Sequence, residues 1–314
     1  MISLAVATYN GERYITEQLE SLYKQTVPFD EVIICDDGSK DNTVLLCREF
    51  IEKNNLVNWR VEQNEKNLGY CLNFYGAIEK TSGDIIFLCD QDDVWDENKV
   101  EVMLETLNNN PDISMLASRY RLVDGEGRLA QNLTVPHFEA NFNGKLEKLT
   151  PKSFIGHSYI RGCATCFRSC LKEKLKPIEL RSLLGHDWLL SFISSLEDGA
   201  YCLNVPLMSY RCHENNVSFK ADRSKIERRV QKRIAGLEES LEGHEYILEF
   251  VKDNKLKKQI ERFMRFEKKR ISFLKSKNIL IFFSLLFCVK QYSRYYNGKG
   301  FKVWLGDFVY AYKG

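Results

Sequence analysis

Over the first 117 residues, short apolar strand-like runs alternate with stretches whose apolar residues recur at helical spacing. The runs are Ile2–Ala7, Glu31–Cys35, Trp59–Glu62, Ile85–Cys89 and Ser114–Ala117. Tyr14, Leu19 and Leu22 share one helical face, as do Val44, Cys47, Phe50 and Ile51, and Asp41-Asn42-Thr43 offers an N-cap for the second helix. Strands separated by helix-length connections predict βαβ units, and so an α/β fold whose mostly parallel sheet is covered by helices on both faces.

Beyond residue 118 the pattern loosens. Asp124-Gly125-Glu126-Gly127 marks a turn, and residues 131–160 read as a long loop, a length usually reserved for function and here assigned to substrate contact. Order returns in a helix from Gly185-His186-Asp187-Trp188 to about Glu197, followed by strand-like Ala200–Leu203 and Leu207–Arg211. Cys163, Cys166 and Cys170 with His157 have spacings compatible with zinc, but a second knuckle is missing, so buried thiols are the expectation. Without a secretory signal the ten cysteines are expected to be reduced, in a cytosolic protein.

Charge divides the 314 residues unevenly. Residues 1–222 carry 23 basic and 33 acidic side chains, and residues 223–314 carry 22 and 10, so the net charges are −10 and +12. The near-neutral total gives no reason to expect a nucleic-acid partner. The expected division is therefore a catalytic domain over 1–222 and a basic helical extension over 223–314. In the extension Val230, Ile234, Leu237, Leu241, His244, Leu248 and Val251 form an apolar seam, with His244 expected as a core histidine, and a second helix follows Asn254. The run Ile279–Val289 is apolar at ten of eleven positions, too short to cross a bilayer. Its basic and aromatic flanks suit an anionic membrane interface, or equally a helix packed on the protein or in a dimer.

In an open parallel sheet ligands collect at the carboxyl ends of the strands, and these ends are polar here: Thr8-Tyr9-Asn10-Gly11-Glu12, Asp36-Asp37-Gly38-Ser39 and Asp90-Gln91-Asp92-Asp93. Three carboxylates in four residues repel one another unless solvated or neutralised, which points to a divalent cation; oxygen ligands favour Mg²⁺ or Mn²⁺. A cap at Asp93 or Asp96 for a helix from Glu97 accounts for one carboxylate, not for all.

With Val6-Ala7-Thr8-Tyr9-Asn10-Gly11, Asn67-Leu68-Gly69, Ser82-Gly83-Asp84, His186-Asp187-Trp188 and Tyr210-Arg211-x-His213-x-x-Asn216 in order, residues 1–220 resemble glycosyltransferase family 2, inverting enzymes of the GT-A (Rossmann-like) fold. Asp-Gln-Asp-Asp-Val-Trp and His-Asp-Trp look like the bacterial rhamnosyltransferases of cell-wall rhamnan and capsule synthesis. The resemblance implies that Thr8, Tyr9, Asp36 and Asp37 hold the nucleobase, that Asn67 lies near the nucleotide and that Asp90 approaches the ribose. It further implies that Asp92 is the main metal ligand with Asp93 an adjacent candidate, that His213 lies near the metal and diphosphate, and that Arg211 contacts a phosphate. Asp187 matches the catalytic base; His186 stands where the family usually has Glu, which leaves its role open.

The expected reaction is a single inverting displacement, best matched by L-rhamnose from dTDP-β-L-rhamnose onto a polyprenyl-linked glycan at the inner membrane face. UDP-galactose or UDP-N-acetylglucosamine are the rival donors. A nucleotidyltransferase would want a basic, glycine-rich loop after the first strand, which Thr8–Arg13 is not. A non-catalytic nucleotide-binding protein would have no need of both the acidic cluster and Asp187.

Overall fold

The structure, a computed structural model, describes residues 1–130, 142–156, 160–175, 185–213, 216, 226–295 and 300–313. The chain divides into two compact units. The first comprises residues 1–134, 139–150 and 160–213, and the second residues 135–138, 151–159 and 214–314.

The first unit opens with β1 (Ile2–Thr8), α1 (Ile15–Tyr23), β2 (Glu31–Asp36), α2 (Thr43–Lys53), β3 (Trp59–Gln63), α3 (Tyr70–Lys80) and β4 (Ile85–Asp90). It continues with β5 (Val94–Trp95), α4 (Lys99–Asn109), β6 (Met115–Val123), β7 (Leu146–Lys148), β8 (Thr165–Arg168), α5 (Cys170–Lys174), α6 (His186–Leu196) and β9 (Ala200–Arg211). Among the described residues these strands form one sheet in the order β3-β2-β1-β4-β8-β6-β9-β5, with β7 also on β9. The stretch β3-β2-β1-β4 is parallel, as is β6 on β9; β5, β7 and β8 run antiparallel, so the sheet is mixed beyond β4. Leu4–Val6, Val32–Ile34 and Ile86–Leu88 are fully buried, as strands covered on both faces must be.

Several elements differ from expectation for local reasons. Strand β9 is continuous where two strands were expected; Pro206, which offers no N–H, sits at an irregularity in its pairing with β6, so the strand bends instead of ending. Helix α4 opens at Lys99 without a side-chain cap, and Asp96 pairs with Arg121 rather than capping it. At α2 the Asp41 carboxylate accepts the Thr43 N–H at 3.0 Å. Within the expected loop 131–160, β7 pairs with β9 and Pro151–Phe154 makes a 3₁₀ turn; residues 131–141 and 157–159, His157 included, lie outside the described residues. Cys163 and Cys166 are buried free thiols and Cys170 is exposed.

The second unit holds α7 (Ile226–Ile247), α8 (Asn254–Ser276), α9 (Ile279–Ser284), a 3₁₀ turn (Leu285–Cys288), α10 (Val289–Tyr295) and α11 (Gly300–Lys313). The expected boundary at 222/223 falls outside the described residues, and residues 151–156 join the helical unit rather than the first. They do so because Gly156 N–H donates to Nε2 of His244 at 3.1 Å and Gly156 packs so closely on the Phe263 ring that a Cβ would come within 2.5 Å of it. Since Nε2 accepts, Nδ1 of His244 carries the proton and donates to Glu267 at 3.0 Å; both side chains are buried, which makes His244 a core residue of the seam.

The same unit buries an ion cluster. Asp307, with no exposed surface, accepts from Nε and Nη2 of Arg270 at 2.5 and 3.0 Å and from the Tyr292 hydroxyl at 2.8 Å, and pairs with Arg233 at 3.1 Å. Removing one member strands the other charges in an apolar interior. Asp307→Ala is expected to destabilise the helical unit by about 3–5 kcal/mol, measured as a lowered denaturation midpoint of the full chain. An unchanged midpoint would show that solvent reaches the cluster.

Candidate active site

The carboxyl ends of β1, β2 and β4 lie side by side, because Thr8 is in register with Asp36 and Ala7 with Asp90. The Thr8 hydroxyl donates to Asp36 at 3.0 Å, and Asp36 also accepts from the Ser39 N–H and the Gln63 amide. Asp37 accepts the N–H groups of Leu68 and Gly69, both at 2.8 Å, and the Asn64 amide, while Asn67 donates to the Asp37 carbonyl. Both carboxylates are buried and hold the loops after β2 and β3 to the end of β1. Of the residues expected at the nucleotide, Tyr9 and Asn67 are exposed. Tyr9 is fixed through its backbone, whose N–H and C=O meet the two ends of the Gln91 amide.

The acidic turn after β4 sorts its carboxylates. Oδ2 of Asp92 lies 2.8 Å from Nε2 of His213. Asp93 turns inward, where Oδ1 accepts the Arg211 N–H at 3.1 Å and Oδ2 is buried without a hydrogen-bond partner. Asp90, Asp93 and the Cys163 thiol form a compact group whose ligand-type atoms all lie within 4.8 Å. Burial, reinforced by the charge of Asp92, pushes Asp90 up to about 7 and Asp93 well above the carboxylate range. Two donor sets are therefore available to a cation: Asp92 with His213, and the Asp90, Asp93 and Cys163 group. The first stands at the strand ends and is less deeply enclosed; its carboxylate suits Mg²⁺ or Mn²⁺, while its imidazole is a donor for a transition-metal ion such as Mn²⁺ rather than for Mg²⁺.

Arg211, expected at a phosphate, lies almost fully buried. Its Nε donates to the Asp92 carbonyl at 2.8 Å, Nη1 to the Gly125 carbonyl and Nη2 to Glu17 at 2.6 Å, and its guanidinium lies 4.8 Å from the centre of the Tyr14 ring. It is built into the support of the acidic turn. Tyr14 also meets the His213 ring at 4.8 Å, so this residue, legible in the sequence only as part of a helix face, backs the metal-type pair.

Asp187 stands in the first turn of α6, with Oδ1 accepting the Trp188 N–H at 2.7 Å. Its charge is felt at Asp90, and Arg161 acts on both: the guanidinium, enclosed beside the Tyr120 phenol and 5.6 Å from the Tyr210 ring centre, is drawn to Asp187 and opposes the upward shift of Asp90. The fold thus brings Asp187 into the electrostatic neighbourhood of the acidic turn, 97 residues away in sequence. His186 points elsewhere. Its ring stacks on Phe74 at 4.0 Å and abuts Gly162, where a Cβ would come within 2.4 Å of Nε2; burial lowers its pKa, leaving a neutral packing ring.

Sequence reasoning missed Arg161 and Lys99, and it weighed Cys163 only with Cys166 and Cys170, not with the acidic turn that it joins. Lys99 donates to the Cys163 carbonyl at 2.7 Å from a position 3.4 Å over the Trp95 ring, and burial brings it down to about 8. Arg161 and Lys99 stand in no recognisable motif, and all three matter through partners distant in sequence.

The family model for glycosyl transferase family 2 matches residues 3–174. The chain belongs to glycosyltransferase family 2. A family 2 relative, the dTDP-rhamnosyl transferase RfbG of Shigella flexneri, is 29% identical over 235 residues, 69% of this chain and 76% of its own. The UDP-Glc:alpha-D-GlcNAc-diphosphoundecaprenol beta-1,3-glucosyltransferase WfgD of Escherichia coli is 30% identical over 124 residues, 40% of this chain and 47% of its own. Among solved structures, S. aureus TarS 1-349 in complex with UDP-GlcNAc matches with a TM-score of 0.61 at 18% identity, covering 99% of this chain and 89% of the other. This family 2 chain is accordingly a glycosyltransferase with a GT-A catalytic unit and a helical C-terminal region.

Proposed function

We propose that this glycosyltransferase moves a hexose from a nucleoside-diphosphate donor, with inversion, onto a hydroxyl of a lipid-linked cell-surface glycan at the inner face of the membrane, and that the donor is dTDP-β-L-rhamnose. The observation that carries the reading is the approach of Asp187 to the acidic turn at the strand ends. A carboxylate held in a first helical turn beside a cluster of cation-seeking carboxylates is what a displacement between a hydroxyl and a diphosphate requires. The rhamnosyl donor rests on the likeness to RfbG, and the lipid-linked acceptor on the named acceptor of WfgD.

In this reading Tyr9 and Asn67 offer their exposed groups to the nucleotide, while Thr8, Asp36 and Asp37 hold the rim that presents them. Asp90 faces the ribose. Asp92 and His213 would hold Mg²⁺ or Mn²⁺, with Asp93 set back on the Arg211 backbone. Such an ion, when bound, neutralises charge developing on the departing diphosphate. Arg211 keeps the acidic turn in place. Asp187 takes the acceptor hydroxyl proton as the oxygen attacks the anomeric carbon and the bond to the diphosphate breaks on the opposite side. One displacement turns a β-linked donor into an α-L-rhamnoside.

WfgD and the TarS complex favour a UDP-sugar instead, with the same residues and the same inversion. Transfer assays with dTDP-rhamnose, UDP-glucose, UDP-galactose and UDP-N-acetylglucosamine onto a polyprenyl-diphosphate sugar separate the two. Turnover is expected with dTDP-rhamnose, and NMR of the product should show the α anomer. Faster turnover with a UDP-sugar would move the assignment to that donor, and a retained anomer would reject the single displacement.

A further inference from the structure

The helical unit exposes more apolar surface than its own packing uses. Its core is already closed: Phe282 stacks on Trp304 with ring centres 4.2 Å apart, meets Phe273 and Phe308, and accepts the Trp304 indole N–H at 3.0 Å through its carbonyl. Outside that core, Leu280, Phe283 and Phe287 are 74%, 56% and 89% exposed on α9 and the turn after it. On α11, exposed Phe301, Leu305 and Val309 recur every four residues and so make a second stripe on the face away from buried Val303, Trp304, Asp307 and Ala311.

The segments that carry these stripes are themselves basic. Residues 275–314 contain seven basic side chains and a single acidic one, Asp307, which is fully buried between Arg270 and Arg233. Lys277, Lys290 and Lys302, within a few residues of the stripes in sequence, are exposed. A two-fold contact with a second copy would set the same lysines against one another with no carboxylate from these segments to offset them. A surface of anionic phospholipid headgroups supplies the opposite charge and, beneath it, an apolar layer for the rings. No described helix is long and apolar enough to cross a membrane, and residues 279–289, a short α-helix running into a 3₁₀ turn, span under about 20 Å against about 30 Å of hydrocarbon, so a segment of this length that meets a bilayer would lie in its plane.

We propose that the two exposed stripes, Leu280, Phe283 and Phe287 on α9 and its turn and Phe301 and Leu305 on α11, dock the helical unit on an anionic phospholipid bilayer, with Lys277, Lys290 and Lys302 on the headgroups. This deepens the lipid-linked-acceptor reading above by naming the surface that keeps the enzyme where such an acceptor resides, yet its test requires no turnover.

The test is flotation of the full-length protein with phosphatidylcholine vesicles, with and without phosphatidylglycerol, at low and high salt. Binding is expected only with phosphatidylglycerol, with release in high salt. The exposed-site variant Leu280→Ser/Phe287→Ser and the charge variant Lys277→Glu/Lys290→Glu are each expected to weaken binding about tenfold or more, with unchanged melting temperatures. Asp187→Asn is expected to bind as the parent does, so loss of catalysis and loss of docking are read separately. Equal binding to neutral vesicles, no binding at low salt, or unaffected binding by both variants would overturn the proposal. So would light scattering that shows a lipid-free dimer which Leu280→Ser/Phe287→Ser turns into monomers, because the face would then belong to a second copy.

Discussion

Asp187→Asn is expected to lower kcat by about 10²–10⁴-fold while leaving donor affinity near that of the parent. Asparagine keeps the size of the side chain and an oxygen for the Trp188 N–H, so the first turn of α6 stays in place. It removes the carboxylate proposed to take the acceptor proton. The proposed donor site lies on other elements, the loops at the ends of β1, β2 and β4, whose hydrogen bonds to one another do not involve α6. Steady-state kinetics with varied donor, together with nucleotide binding by calorimetry, separate the two effects. A variant that turns over like the parent would reduce Asp187 to a helix-terminal side chain, and a variant that loses nucleotide affinity in parallel would place it in donor binding.

The second large effect concerns the cation. Chelation with EDTA is expected to abolish transfer, and Mn²⁺ or Mg²⁺ to restore it, since neutralising a departing diphosphate contributes several kcal/mol, on the order of 10³-fold in rate. Binding of Mn²⁺ itself, followed by EPR of the free ion, tests the site without turnover. Asp92→Asn keeps the shape beside His213 but removes a charge, and is expected to weaken Mn²⁺ by at least about tenfold. Asp93→Asn is expected to weaken it much less, because that side chain faces the Arg211 N–H and the Cys163 thiol. The reverse order would assign the ion to the Asp90, Asp93 and Cys163 group. Full activity in chelator would remove the cation from the reaction.

How far these sites could be read from sequence depended on the range of the interactions that build them. The polar residues after β1, β2 and β4 were legible because each directly follows an apolar run, and a parallel sheet gathers those ends by construction. The choice between Asp92 and Asp93 was not legible. Neighbours along a chain present the same chemistry, and what separates them is His213 on one side and Arg211 on the other, both more than a hundred residues away. For the same reason the burial of Arg211 against Glu17 and the Asp92 carbonyl was not legible, nor was the charge interaction of Arg161, in no motif, with both Asp90 and Asp187.

Strand and helix periodicity, a property of a few consecutive residues, was enough to determine the α/β opening of the chain and the two long helices after residue 225, and composition alone the excess positive charge of the C-terminal region. Tertiary structure alone decided the antiparallel placement of β5, β7 and β8, the transfer of residues 151–156 to the helical unit, and which apolar residues of 279–309 stay outside the core. The physical reason is common to all three. Local pattern reports what a segment would bury, whereas the partner that buries it, or fails to, is chosen by packing between segments far apart in the chain.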